Sequence, residues 1–345
     1  MWKYVLKRIG LALITAFIIL SISFLLIKLL PFSKPLGNDD TRYAYYLTQQ
    51  NLGFVTIYGV EVPALGKYLD MGTTSSGTVF YCYEVPAFNQ YISWLRNIIT
   101  KWDWGVSTYI NPNNPAMLII VSKLPTTISV NFFSVIVSVP LGILLGVVAA
   151  LKKNKPTDHI ISTSIMIFIS IPSFVMITVL MSLFCYELGW LPTQWPGASA
   201  ATAEKIKAYI LPVICLSFGS ICGYGRFTRA ELCEVMASDY LLLARTKGLS
   251  KRQAITRHAL RNAMVPIVPS ILAEIIGLLG GSMILEQLYG IPGIGKLYVQ
   301  SLNAKDYNVL FVDMALFTMI GLISGVFLDI SYGFIDPRIR MGAKK

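Results

Sequence analysis

The segment Gly290-Ile291-Pro292-Gly293-Ile294-Gly295-Lys296 has the G-x-x-x-x-G-K spacing with which backbone N–H groups and a lysine cradle nucleotide phosphates. Leu297 stands where that loop needs a Ser or Thr hydroxyl for Mg²⁺, and the segment follows an apolar helical run. Nucleotide chemistry is therefore not expected from this chain. Glu274 is a different kind of suspect. It interrupts an apolar stretch, where an ionisable side chain is costly and marks function by default. Two readings stay open: Glu274 lines a polar path through the membrane, or it is protonated and packed against another helix. Arg226, Arg229, Glu231 and Glu234 cluster at the end of another apolar run and read as a local ion network or as snorkelling side chains. Five cysteines without a C-x-x-C pair and two histidines, His159 and His258, give no metal or disulfide framework. An intramembrane enzyme would need H-E-x-x-H, G-x-S-x-G or a transmembrane Asp pair, and none of these is present.

The elements around these residues are membrane spans. The chain of 345 residues is 54% hydrophobic and only 14% charged, with mean hydropathy +0.61. Soluble domains carry about 25% charged residues. Six runs are long enough to cross a bilayer: near Ile9–Leu30, Leu124–Leu151, Ile160–Tyr186, Ala208–Arg226, Met264–Leu288 and Val309–Tyr332. The net charge of +11 invites a nucleic-acid reading, but the distribution of the basic residues argues against it. Lys3, Lys7 and Arg8, then Lys152, Lys153 and Lys155, then Arg245 to Arg261, then Arg338 to Lys345 form short, dense clusters on alternate loops. The positive-inside rule places those loops, and both termini, in the cytoplasm. The remaining loops, 31–123, 187–207 and 289–308, are sparsely basic and external. The expected division is a first transmembrane helix at 1–30, an external loop or small subdomain at 31–123, and a five-helix core at 124–345. The external segment holds β-prone runs at Phe54–Val62 and Thr78–Val85 and an amphipathic stretch at Tyr91–Trp102.

The longest cytoplasmic loop, about 236–263, reads as two short helices at an angle. Tyr240, Leu243 and Ala244 share one face by i, i+3, i+4 spacing. Gly248 suits a left-handed helix terminator. Ser250 with Gln253 makes a capping box that starts the next helix. Such an elbow with a basic flank is a docking shape or an ordinary basic connector, and spacing alone leaves both open.

The run Asp239-Tyr240-x-x-x-Ala244-Arg245-x-Lys247-Gly248-Leu249-Ser250, followed by Arg257-His258-Ala259-Leu260-Arg261-Asn262-Ala263, resembles the coupling loop of the oligopeptide/dipeptide/nickel class of ABC permeases. Three further blocks agree: Leu188-Gly189-Trp190-Leu191-Pro192, Glu286-Gln287-x-x-x-Ile291-Pro292-Gly293-Ile294-Gly295 and Asp336-Pro337-Arg338-Ile339-Arg340. The resemblance covers roughly residues 1–35 and 90–345. Leu242-Leu243-Ala244 departs from the Glu-Ala-Ala that opens the broad permease signature, and Arg261 replaces its proline.

The resemblance implies an all-α integral membrane protein of six transmembrane helices, with an enlarged external segment between the first two and a cytoplasmic coupling loop between the fourth and fifth. It implies a bacterial or archaeal plasma membrane and import of peptides, or alternatively of nickel chelates or other small solutes. The partners it implies are a second, homologous permease subunit, two ABC ATPase subunits that bind the ATP and Mg, an external substrate-binding protein, and membrane lipid. In that scheme Asp239, Tyr240, Leu243, Ala244, Arg245, Lys247 and Gly248 couple to the ATPases, and Glu274 is the candidate for the translocation path.

Overall fold

The computed structural model describes residues 2–30, 34–62 and 67–335. In chain order the elements are α1 (Trp2–Lys28), α2 (Asp39–Asn51), β1 (Val55–Tyr58), β2 (Lys67–Thr73), β3 (Val79–Glu84), α3 (Ala87–Lys101), α4 (Ala116–Leu151), α5 (Pro156–Ser170) and α6 (Ser173–Met181). There follow α7 (Thr202–Met236), α8 (Asp239–Thr246), α9 (Lys251–Ala254), α10 (Leu260–Gly277), α11 (Met283–Tyr289), α12 (Ile294–Ala304) and α13 (Tyr307–Ile335). The described chain is thus mostly helical, with one three-stranded sheet. The expected C-terminal block Asp336–Arg340 lies outside the described residues.

Among the described residues, five helical stretches are long and apolar enough to cross a bilayer: Val5–Lys28, Ala116–Leu151, Thr202–Met236, Lys251–Gly277 and Tyr307–Ser331. A sixth crossing exists only if Pro156–Ser170 and Ser173–Glu187, bent by 94° at Ile171-Pro172, count as one span. The sequence suggested a third span at Ile160–Tyr186. The break falls at Pro172, whose ring disfavours the helical region for the residue before it, and Ile171 is extended at ψ 118°. The expected fifth span, Met264–Leu288, also differs. The helical run begins at Lys251, α10 ends at Gly277, and Gly281 breaks the apolar stretch at φ +62°, ψ −176°. That conformation is essentially open to glycine alone. A Cβ there would lie 2.6 Å from Glu286 Oε1. Ser282 then starts α11, its hydroxyl accepting from the Leu285 N–H.

The chain divides into two compact units. One, the sheet unit, comprises Gly10–Pro125 and Gly293–Leu322. Its strands are antiparallel in the order β1-β3-β2, with Val55 opposite Glu84 and Thr73 opposite Val79. The β-prone runs foresaw β1 and β3. Strand β2 went unseen because Asp70 and Gly72, both poor strand formers, sit inside it. Phe80 and Cys82 of β3 pack with Phe24, Tyr46, Trp94 and Phe311. Trp94 stacks on Phe24 at 4.8 Å between ring centroids and meets Phe311 edge-on at 5.3 Å. Burial, with Asp70 adding to it, pushes the Cys82 thiol up to about 12, so it stays an inert packing group.

An ionic knot ties α2 to β2. Asp70, 3% exposed, accepts from the Arg42 guanidinium, from the Tyr46 hydroxyl at 3.1 Å and from Lys34 Nζ at 2.6 Å. Arg42 also reaches Asp39, whose other oxygen accepts from the Thr73 N–H at 2.8 Å. These bonds from Arg42 and Thr73 hold the Asp39 carboxyl below its ordinary range. Truncating one member of a buried pair strands the other charge, at a cost of about 3–5 kcal/mol. Asp70→Ala should therefore loosen the α2–β2 segment, and limited proteolysis in intact membranes should show new cleavage between residues 34 and 101. An unchanged digest would mean the knot is dispensable. A second fastening lies in the same unit. Asp306 Oδ2 accepts from Ser107 Oγ at 2.5 Å and from the N–H groups of Thr108, Tyr109 and Ile110, and so holds the 107–110 turn.

The other, helical unit comprises Met1–Ile9, Thr126–Pro292 and Ile323–Lys345. Within it α5, α6 and α10 all pack on α7. The α4 segment Gly142-Ile143-Leu144-Leu145-Gly146 lets α4 and α7 touch backbone to backbone. A Cβ on Gly142 would lie 2.9 Å from Ile221 O, and one on Gly146 would lie 2.6 Å from Gly225 O. Small residues four apart are the usual way membrane helices approach this closely.

Candidate functional site

Helix α8 and the turn after it form the elbow expected from the spacing. Gly248 sits at φ +94°. The Leu249 N–H bonds Ala244 O at 3.4 Å and the Gly248 N–H bonds Arg245 O at 3.0 Å. This paired arrangement closes the end of α8 on a left-handed residue. The capping box forms as the sequence suggested: Ser250 Oγ accepts from the Gln253 N–H, and the Gln253 side chain accepts from the Ser250 N–H.

The elbow has two faces. Leu241 points inward and is 5% exposed, packing with Ala150, Leu232, Ala254, Ala259 and Ala263. Ala254, Ala259 and Ala263 stand five and then four residues apart. They share a face because a π-turn at Ile255–Ala259 adds one residue between α9 and α10. Outward, Tyr240, Leu242 and Leu243 are exposed, Leu243 at 57%, with Ala244 half-buried beside them. Arg245 on the same helix and Lys247 at its C-terminal cap are exposed. Asp239, in the first turn of α8, lines with Arg245 and Lys251 a cleft of about 230 Å³ between α8 and α9. The structure thus places all seven loop residues on one short element, with an apolar outer surface and a basic edge. The sequence missed Leu241 as the anchor. The run Tyr240-Leu241-Leu242-Leu243 is apolar throughout, so no pattern in the sequence singles it out.

Glu274 lies in the last turn of α10, a consequence of the break at Gly281. It is half-buried against α7, where Ser220 Oγ donates to Oε1 at 2.6 Å and the Tyr224 hydroxyl donates to Oε2. Ser220 and Tyr224 are i, i+4 on α7, a legible pair in hindsight. Arg229 pairs not with Glu231 or Glu234 but with Asp158 of α5, Nε to Oδ1 at 2.6 Å and Nη2 to Oδ2 at 2.8 Å. Asp158 is 1% exposed and also accepts from the Asn154 N–H and Ser162 Oγ. The clue was its place in the first turn of α5, after Pro156 at the helix start.

Two of the quoted sequence blocks meet. The buried Tyr289 hydroxyl donates to Pro192 O at 3.0 Å, and the Trp195 N–H donates to Tyr289 O at 2.9 Å. Burial raises the Tyr289 phenol above its ordinary range. Glu286, 3% exposed, accepts from Thr127 Oγ1 at 2.9 Å. The phosphate-loop look-alike is a structural turn. Gly290 ends α11 in the left-handed region, Gly293 precedes α12 in extended backbone, and Ile291 and Ile294 are fully buried.

Residues 142–341 match the family described as "Binding-protein-dependent transport system inner membrane component". Over 342 residues the chain is 31% identical to the dipeptide transport system permease protein DppB of Lactococcus lactis subsp. cremoris, covering 99% of this chain and 100% of that one. It is 31% identical over 341 residues to the oligopeptide transport system permease protein OppB of Haemophilus influenzae, again covering 99% and 100%. It is 30% identical over 340 residues to the glutathione transport system permease protein GsiC of Escherichia coli O1:K1, covering 99% of each. Matched along most of its helical unit by the family and along nearly its whole length by these permeases, the chain belongs to the inner membrane components of binding-protein-dependent transport systems.

Proposed function

We propose that this chain is the transmembrane permease subunit of an ATP-driven peptide importer. The observation that carries the reading is the elbow: an inward Leu241 ties α8 to the helical unit, while Tyr240, Leu242 and Leu243 offer an apolar surface to a partner. Exposed apolar side chains next to Arg245 and Lys247 suit a cleft on a cytoplasmic ATPase better than they suit water. The chain supplies the path and the lever, and separate ATPase subunits hydrolyse ATP. An external binding protein delivers the substrate, and a second, homologous permease subunit completes the pore. The relatives are named for dipeptides, oligopeptides and glutathione at closely similar identity, which supports a peptide-like substrate and leaves its length to the binding protein. The test is reconstitution with the cognate ATPases, second permease and binding protein. Peptide uptake into vesicles should require ATP, and no uptake of any peptide would overturn the reading.

In this assignment α8 and both termini face the cytoplasm. In a cysteine-free background, a cysteine at position 199 should react with an impermeant thiol reagent in intact cells. One at position 345 should react only after lysis. Labelling of position 345 from outside would overturn the topology.

Glu274, with its Ser220 and Tyr224 donors, belongs to the translocation path. Glu274→Gln keeps a side chain that can bond both hydroxyls, so the subunit should assemble normally. Removing the carboxylate should still lower peptide uptake several-fold in reconstituted vesicles. Wild-type uptake by Glu274→Gln, with loss of folding only in Glu274→Leu, would assign the residue to packing instead.

A further inference from the structure

We infer that α3 is an interfacial helix, lying in the leaflet at the C-terminal end of α1 with one apolar stripe among the lipid chains. The stripe is Phe88, Ile92, Leu95 and Ile99, continued by Trp102, which caps the helix. Its spacing alternates between four and three residues, so at about 100° per residue these side chains fall within an arc of about 80°. Phe88, Ile99 and Trp102 are 70%, 73% and 67% exposed, and Ile92 is half exposed. Single apolar residues on a surface are ordinary, but a continuous stripe of them marks a contact.

The other sides of α3 are engaged within the sheet unit, and this fixes how the helix is turned. Gln90 Nε2 donates to Val85 O at 2.6 Å and Asn97 Nδ2 donates to Leu52 O at 3.0 Å, which holds one side of α3 to the ends of α2 and β3. A second side meets α1, where Trp94 stacks on Phe24 and the Tyr91 hydroxyl lies 2.9 Å from Ser21 Oγ. The stripe falls opposite Gln90 and Asn97, with the α1 contacts between them. Its other border is polar and exposed, at Asn89, Arg96 and Thr100.

The contact with α1 sets the depth. Ser21 and Phe24 lie seven and four residues before Lys28, the end of an apolar run long enough to cross a bilayer. At about 1.5 Å per residue they sit roughly 10 and 6 Å inside that end. Helices that lie in the plane of a membrane bury their apolar face by about 5–10 Å. With 15 residues α3 is about 22 Å long and too short to cross. At the same depth Ile22, Leu25 and Leu26 of α1 are exposed, so the stripe continues the exposed apolar surface of a span. Arg96, on the polar border, reaches toward lipid phosphates, and Trp102 suits the interface. These features together select lipid as the occupant.

Quenching of a site-specific fluorophore tests this on the full chain. In a cysteine-free background, the fluorophore NBD is attached at position 92 or 99 on the stripe, or at 89 or 100 on the polar border. The chain is reconstituted into phosphatidylcholine vesicles with and without nitroxide-labelled acyl chains. NBD at 92 and 99 should be quenched by the nitroxide lipid at least threefold more strongly than NBD at 89 and 100. Iodide in the water should give the reverse order. Ile99→Asp should cut the lipid quenching at 92 at least threefold, whereas Asn89→Asp leaves it unchanged. If Ile99→Asp misfolds, the four labelled positions in the otherwise unaltered chain carry the result. The pattern should persist when the second permease subunit, the ATPases and the binding protein are present. Equal lipid quenching at all four positions, or iodide access at 92 and 99, would overturn the inference. Loss of lipid quenching on assembly would give the stripe to a protein partner and overturn it as well. No step needs transport, so the outcome is independent of peptide import.

Discussion

Gly248→Val should abolish ATP-driven peptide uptake while leaving expression and membrane insertion normal. A Cβ at Gly248 meets nothing within 4 Å, so the substitution causes no clash. The cost is in the backbone. At φ +94° an L-residue pays roughly 1–2 kcal/mol, and a β-branched one more. The chain can escape only by abandoning the bonds from Leu249 to Ala244 and from Gly248 to Arg245 that close α8. The start of α9 would then point elsewhere, and the outward face of Tyr240, Leu242 and Leu243 would no longer be aimed by Leu241. Asparagine tolerates positive φ better than other non-glycine residues. Uptake should therefore fall in the order Gly, Asn, Ala, Val. Co-purification of the ATPases together with uptake in vesicles reads the effect, with Lys207→Ala, on the far part of α7, as control. Wild-type uptake by Gly248→Val would remove the elbow from its role.

Gly146→Val should prevent a stable helical unit from forming. The added carbon lands 2.6 Å from Gly225 O and from Thr228 Cβ, closer than real Cβ atoms come, and a tight 3.0 Å from Arg229 N. Two of these neighbours are backbone and cannot rotate aside, so α4 and α7 must part. Overpacking of this kind typically costs 1–3 kcal/mol, and more where backbones meet. The separation also disturbs α7 where Tyr224 holds Glu274 and Arg229 holds Asp158. A large drop in thermal midpoint in detergent is expected, with Gly146→Ala intermediate. Gly223→Ala on the same α7 is the control, since a Cβ there meets nothing within 4 Å. It should be neutral or stabilising by about 0.5–1 kcal/mol. Equal melting of Gly146→Val and wild type would refute the close approach.

These two glycines show what was legible. Gly248 announced itself because a local signature, a helix terminator followed by a capping box, acts over a few residues. Gly142 and Gly146 stood in plain view, but what they approach is Ile221 and Gly225, on a helix distant in sequence. Hydropathy found the apolar runs because burying or solvating them is a bulk property. It could not find the breaks at Pro172 and Gly281, since neither residue lowers the apolar average enough to interrupt a run. The partners of charges were the least legible. Arg229 was expected to deal with acids on its own helix, yet Asp158 comes from α5, and only the fold brings them within 2.6 Å. In the sheet unit, β2 is held by Asp70 bonds from α2 and by pairing to β3, both longer in range than any strand propensity.

The bend between α5 and α6 bears on how the chain enters its membrane. Each arm, Pro156–Ser170 and Ser173–Glu187, is about 22 Å long at 1.5 Å per residue, short of a hydrocarbon layer about 30 Å thick. Neither arm is long enough to cross by itself. What shelters the arms is α7, which is synthesised after both. A ribosome that has completed residue 187 has therefore made a segment that is apolar enough to leave water and too short and too bent to settle. Its final placement waits for Thr202–Met236, so biogenesis here runs by pairs of segments rather than helix by helix.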